Sequence, residues 1–379
     1  LAAAAAGLTS RTGLTLQALA ELELYLILER GDERFTGRSQ RHYQQSSPYL
    51  HGRAIADEML RVAAEVTGRV KYGHAEVGYI DRLASSDPEL DGRRVEQYEI
   101  ELDLAPVEEL GCWLPVVRWL VRTVADRHGA SATFVPKLDE GMAGSGMHLH
   151  LALSRGAENV IRAGDGELSE AALRMIGGLL RHAPALAAFG NTVAGSYLRL
   201  VPDQEAPTRP GWGSGDRSAL LRVPLDFAAG GRLERTMNPD EDGEDPGDLA
   251  RPTIELRSPD GSAFPQLLLA AVTLAVADGL GDPAALTLAR AAANGAGKES
   301  SALRGLDPLP RSAVEAARVL ERRRELFERG GIPPVLIDRV VTQLRAEADE
   351  DLSERLRRLP AADRLAESRR LMHKDLHKH

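Results

Sequence analysis

Five stretches of this chain alternate apolar and polar residues with a period of two. Each carries a polar pair two residues apart: Glu21/Glu23, His74/Glu76, Gln97/Glu99, His148/His150 and Glu255/Arg257. Strand geometry sends successive side chains to opposite faces, so each pair leaves on one side while its apolar neighbours leave on the other. One such pair constrains little. Five in one chain predict a single sheet with an anionic, histidine-bearing face and a greasy reverse side. Carboxylates crowded on that face would raise one another's pKa values unless positive charge sat among them. Carboxylate ligation with a histidine suits Mg²⁺ or Mn²⁺.

The strands are expected at residues 18–28, 70–79, 95–104, 147–151 and 253–258. Taken alone, 18–28 also reads as an edge strand with one wet face. Apolar spacing predicts helices over 55–67, 107–128 and 168–182, and almost continuously from 264 onward. Residues 31–50 and 81–94 read as loops, 239–248 as a solvated acidic loop, and 191–223 as mostly irregular. That last segment holds Arg199, Arg209, Arg217 and Arg222 beside Tyr197 and Trp212. Long irregular segments inside a domain are usually functional or disordered, and guanidinium groups bind phosphates and carboxylates in pairs of hydrogen bonds. A turn with Gly141, Gly144 and Gly146 leads directly into His148 and His150, allowing backbone to approach a ligand closely. Metals and arginines together point to phosphoryl transfer. Neither the dinucleotide glycine pattern nor a P-loop is present; Gly297-Lys298-Glu299 lacks the required Ser or Thr.

At 379 residues the chain can bury a sizeable core, and its net charge of −9 argues against nucleic acid or an anionic membrane surface as partner. Cys112 is the single cysteine, so no intrachain disulfide or cysteine cluster forms, and it reads as helix core. The longest apolar run, 264–277, is too short to span a bilayer. With no secretory signal visible, a cytoplasmic enzyme is expected. The chain begins at Leu1 rather than Met, which suggests a missing N-terminal part.

GMAGSGMHLH, SYLRLVPDQEAPTRPGWGSGDRSALLRVP and TIELRSPDGSA, with the weaker ELEL and HAEV…EQYEIEL in the same order, resemble the glutamine synthetases. The resemblance runs from Leu14 to about His373. It implies an α+β fold: a curved antiparallel half-barrel sheet flanked by helices, the glutamine synthetase/guanido kinase-like catalytic domain. Residues 1–379 would form that domain, with a sheet-bearing active-site portion at 14–262 and a mainly helical portion at 263–379. The family's N-terminal β-grasp domain, which supplies an aspartate to the neighbouring subunit's ammonium site, has no counterpart in this chain.

The resemblance further implies an ATP-dependent ligase that makes L-glutamine from L-glutamate and ammonia through γ-glutamyl phosphate. It implies two or more Mg²⁺ or Mn²⁺ per site and a dodecamer of two hexameric rings. By motif, Glu23, Glu76 and Glu99 would hold one cation and Glu21, His148 and Glu255 the other. Gly144, Arg199 and Arg257 would bind glutamate. Glu205 would take a proton from ammonium, Arg217 would stabilise the transferring phosphoryl group, and Arg222 and His150, with Arg217, would meet ATP. Departures are Ala143 for an asparagine, Ala152 for a serine, Thr253 for an arginine and Lys71 for a glutamate. They motivate two alternatives: a γ-glutamyl ligase for a larger amine such as a polyamine or ethanolamine, and a non-catalytic ring-forming homologue. Plainer expectations cover the rest. His74 is structural, Glu101 and Asp103 face solvent or cap, Trp113 and Trp119 are helix core, and His373, His377 and His379 belong to a frayed tail. Lys137 reads equally as a surface cation or part of the site.

Overall fold

The computed structural model describes residues 1–31, 35, 37–164, 166–201, 207, 210–224, 252–293 and 306–379. Helix α1 (Ala2–Thr12) ends at left-handed Gly13 and leads into the long strand β1 (Thr15–Leu28). There follow α2 (Arg53–Thr67), β2 (Val70–Ile80), β3 (Arg94–Leu102), β4 (Ala105–Pro106), α3 (Val107–Arg127), β5 (Ser131–Thr133), β6 (Met147–Arg155) and β7 (Glu158–Asn159). Next come α4 (Glu170–Gly190), α5 (Ala194–Arg199), β8 (Trp212–Ser214), β9 (Leu221–Val223) and β10 (Ile254–Leu256). The remainder is helical: α6 (Pro265–Gly281), α7 (Pro283–Ala291), α8 (Ala313–Arg329), α9 (Pro334–Ala346), α10 (Leu352–Arg358) and α11 (Ala361–His373).

One ten-stranded sheet carries the order β2-β3-β1-β6-β10-β9-β8, with β4 and β5 also on β1 and β7 on β6. Among the described strands every pairing is antiparallel except β8 with β9, so the sheet is mixed rather than wholly antiparallel as expected. Strand β1 lies between β3 and β6, which rules out the edge-strand reading of residues 18–28. Leu22, Leu24 and Leu26 of β1, Tyr98 and Ile100 of β3, and Leu149 and Leu151 of β6 are buried in the main core with residues of α2 and α3. Behind these, α4 packs against α6, α7 and α8. Among the described residues no single helix is long and apolar enough to cross a membrane; α6 and α7 qualify only together and are bent by 101°.

Three expectations fail, each for a spatial reason. Helix α3 buries Val107, Leu110, Leu114, Val117, Val121 and Val124, one stripe of helical period. Cys112 and Trp119 lie off that stripe: Cys112 is exposed and Trp119 is 62% exposed. Helix α4 extends to Gly190, well past His182 and through Pro184. The C-terminal tail is docked, not frayed. Thr133 Oγ1 lies 2.9 Å from the carbonyls of both Leu376 and His379, and His373 Nε2 is 2.9 Å from the Leu138 carbonyl.

Candidate active site

Strand register decides which polar residues meet. Across β3–β1, Glu21 faces Glu101 and Glu23 faces Glu99; across β1–β6, Glu21 faces His148. His74 of β2 faces Glu99, and Glu255 of β10 faces His150 on one side and Arg222 of β9 on the other. Directly paired residues hold their Cβ atoms about 5 Å apart, so adjacent strands place these groups in one continuous row.

At one end of the row, Glu21 Oε2 is 2.9 Å from His148 Nδ1 and its Oε1 is 2.9 Å from His150 Nε2. Glu255 Oε1 lies 3.5 Å from His148 Nδ1 and 3.1 Å from Arg257 Nε, and Arg222 pairs with its other oxygen. At the other end, His74 Nε2 is 3.1 Å from Glu99 Oε1, with Glu76 Oε1 3.7 Å from His74 Nδ1. Glu23 sits between them, its Oε1 3.8 Å from His148 Nε2. Among the described residues the ligand atoms fall into two compact triples, Glu21–His150–Glu255 and His74–Glu76–Glu99. His148, which the resemblance places with Glu21 and Glu255, lies 2.9 Å from Glu21 and 3.5 Å from Glu255, so both imidazoles approach that carboxylate pair, and His74 stands beside Glu99 and Glu76. His148 bridges toward Glu23.

The charges on this face are strained. Burial, reinforced by Glu21, Glu23 and Glu76, pushes the Glu99 carboxyl well above its usual range despite His74. Burial would raise Glu21 as well, but hydrogen bonds with His148 and His150 outweigh it and hold that carboxyl well below the usual range. Burial disfavours charged His74, yet the hydrogen bond to Glu99 lifts its pKa to about 9. These groups call for positive charge. Protonated imidazoles meet part of that demand, and a divalent cation in each triple would meet it with the oxygen and nitrogen donors that such ions take. The donor set therefore fits the metals that the sequence implies.

Arg257 Nη1 also donates to the Arg217 carbonyl. Arg199 Nη1 is 2.9 Å from the Ser258 carbonyl and 3.3 Å from that of Pro259, and its Nη2 is 3.2 Å from the Arg257 carbonyl, 3.4 Å from His148 Nε2. Arg199 thus locks the segment after β10 against the glycine turn. Arg217 itself is exposed, and its contact with the site runs through its backbone. Glu205 and Arg209 lie outside the described residues.

Sequence reasoning passes over several participants. Glu101 is buried and takes Lys71 Nζ at 2.7 Å, so it faces the site row and not solvent. Thr253 Oγ1 lies 2.9 Å from His150 Nδ1 and sets that ring's tilt. Tyr25 donates its hydroxyl to the Ala143 carbonyl at 2.7 Å. Gln97 links three neighbours. Its signal is visible in the sequence: it shares the phase of Glu99 and Glu101.

Lys137 belongs to the interior. It is 2% exposed, with Nζ donating to the Met142 carbonyl. Burial, then Arg199, lowers its pKa from the usual 10.5 to about 8. A lysine depressed on folding withholds stability while charged, and stability rises as pH climbs from about 8 toward 10.5. Relative to Lys137→Met, the wild type is expected to gain on the order of 1–3 kcal/mol between pH 7 and 9.5 in urea melts. A pH-independent difference would contradict it.

A family model described as glutamine synthetase, catalytic domain, matches residues 1–356. The chain belongs to the glutamine synthetase family. The glutamine synthetase of Pyrococcus abyssi (strain GE5 / Orsay) is 37% identical over 246 residues, covering 64% of this chain and 51% of that protein. That of Aquifex aeolicus (strain VF5) is 30% identical over 319 residues, covering 82% of this chain and 59% of that protein. The chain therefore spans about half the length of the curated relatives it matches. A crystal structure titled novel glutamine synthase homolog superposes with a TM-score of 0.68 at 20% identity, covering 98% of this chain and 74% of that one. The Plasmodium falciparum glutamine synthetase does so at 0.67 and 20%, covering 95% and 76%. At that identity these two matches speak for the fold, an α+β open sheet flanked by helices.

Proposed function

We propose that this glutamine synthetase catalytic domain performs ATP-dependent ligation of L-glutamate and ammonia. The supporting observation is the pair of carboxylate–histidine triples on one sheet face, flanked by buried arginines and a glycine turn. In this reading Glu21, His148 and Glu255, with His150 beside them, would hold one cation, and Glu23, Glu76 and Glu99, with His74 beside them, would hold the other. Bound Mg²⁺ or Mn²⁺ supplies charge neutralisation for the transferring phosphoryl group and its leaving ADP. Gly144 presents backbone to the amino acid, while Arg257 and Arg222 orient Glu255 and stand ready for anionic oxygens. A γ-carboxylate oxygen of glutamate attacks the γ-phosphorus and ADP departs. Ammonia nitrogen then attacks the γ-carbonyl carbon of the acyl phosphate, inorganic phosphate leaves, and the nitrogen gives up a proton. We infer also that residues 1–379 act as one catalytic domain and that the whole protein assembles into rings, which mass photometry would read directly.

The test uses the whole gene product. It is expected to release phosphate from ATP only when glutamate, an amine and Mg²⁺ or Mn²⁺ are all present, with ammonia giving the highest kcat/KM. Higher kcat/KM with a polyamine or ethanolamine would replace ammonia as substrate. A folded protein that binds no Mn²⁺ and releases no phosphate would overturn the ligase reading altogether.

A further inference from the structure

Gln97 of β3 is 1% exposed, and both polar atoms of its amide are hydrogen-bonded. Its Oε1 accepts from the Gly78 N–H of β2 at 2.9 Å. Its Nε2 donates to Glu23 Oε2 of β1 at 3.0 Å and to the Gly144 carbonyl at 2.8 Å. The amide orientation is unambiguous, because a carboxylate and a carbonyl can only accept and a backbone N–H can only donate. One side chain therefore ties two neighbouring strands to the glycine turn. It also decides how Glu23 can be used. Glu23 Oε2 receives both Gln97 and the Gly146 N–H, the latter at 2.8 Å, which leaves Oε1 as the oxygen turned toward His148. Any rotation of Glu23 must break its bonds to Gln97 and Gly146 together, and any shift of the turn must break the Gly144 and Gly146 bonds.

We propose that Gln97 is a positioning residue that couples cation binding at Glu23 to the conformation of the turn at residues 144–146. This deepens the ligase reading, since that turn is where glutamate's backbone would lie, and it rests on that reading for its kinetic consequence. Its physical content stands separately: occupancy on the Glu23 side should order the turn, and the turn should stiffen Glu23 in return, because linkage is reciprocal. Partners that orient a metal-binding carboxylate typically contribute about 10–100-fold in affinity or activity.

The experiment compares wild type with Gln97→Met, which fills the space without polar atoms, and Gln97→Glu, a near isostere that keeps the Gly78 bond but loses both donors. Tyr25→Phe is the control, since it frees the Ala143 carbonyl of the same turn without touching Glu23. In wild type, Mn²⁺ is expected to slow hydrogen exchange of the 141–147 peptide, and in both Gln97 variants that protection should vanish. Both should also raise the KM for glutamate about tenfold while moving the KM for ATP less than about twofold. Tyr25→Phe should loosen the turn at baseline and weaken Mn²⁺ binding only modestly, yet keep the Mn²⁺-dependent protection of the 141–147 peptide, because the Gln97 link to Glu23 is intact. The coupling is refuted by Mn²⁺-dependent protection that persists in both Gln97 variants. It is equally refuted by glutamate and ATP KM values that rise together alongside a lowered Tm, which marks general sheet damage. A wild type without ligase activity sinks the proposed function, while the exchange measurements still decide the role of Gln97.

Discussion

Gly146→Ala is expected to lower kcat/KM about 100- to 1000-fold while the protein stays folded, losing about 1–3 kcal/mol in urea melts. A methyl group at this position would stand 2.6 Å from His148 Nε2 and 2.7 Å from Arg199 Nη2. Both neighbours are buried side-chain ends, so neither can retreat into solvent. His148 is also held by Glu21, and Arg199 by the carbonyls after β10. Relief must therefore come from shifting the catalytic groups themselves or the turn, and displacements near 1 Å at reacting groups cost about 100-fold. Steady-state rates together with a chemical melt separate this from misfolding. Activity within threefold of wild type would show that the turn and His148 do not need this close approach.

Glu255→Gln is the second large effect: about a 1000-fold fall in kcat, and one fewer Mn²⁺ bound per chain in equilibrium titration. The substitution keeps shape and removes charge at a side chain that is 1% exposed. Glu255 is the anionic partner shared by Arg222, Arg257 and His148, so its neutralisation leaves cations crowded without a counter-charge. Breaking such a buried arrangement costs about 3 kcal/mol. The rise in Tm that Mn²⁺ gives the wild type should shrink in the variant, because a ligand stabilises only the state that binds it. Unchanged stoichiometry and an unchanged Mn²⁺-dependent Tm would remove Glu255 from the ligand set.

Alternation alone makes the strands legible, and the phase of each polar pair tells correctly which side chains share a face. It carries no information on register, and register is what sets Glu21 opposite His148 and Glu255 opposite His150, so that both imidazoles reach the same pair of carboxylates. Glu101 escapes sequence reasoning for a related cause. Its phase matches Glu99, but only the folded chain shows that it is buried, opposite Glu21 and bonded to Lys71. Cys112 and Trp119 sit in an apolar helix whose buried stripe is too narrow to include them. The docking of the tail depends on partners more than 200 residues away, with Thr133 donating to the tail's carbonyls and Arg369 pairing with Asp139, and local sequence carries no sign of such distant pairings.

The row of residues set by strand register, His74 opposite Glu99, Glu99 opposite Glu23, Glu21 opposite His148 and His150 opposite Glu255, ties chemistry to correct folding. A one-residue slip of any strand would turn its ligands into the helical layer, and a slip of two would mismatch them with their partners. Recovery of tight Mn²⁺ uptake after dilution from denaturant can therefore serve as a proofreading signal, reporting native strand alignment where far-UV spectra would register only sheet content.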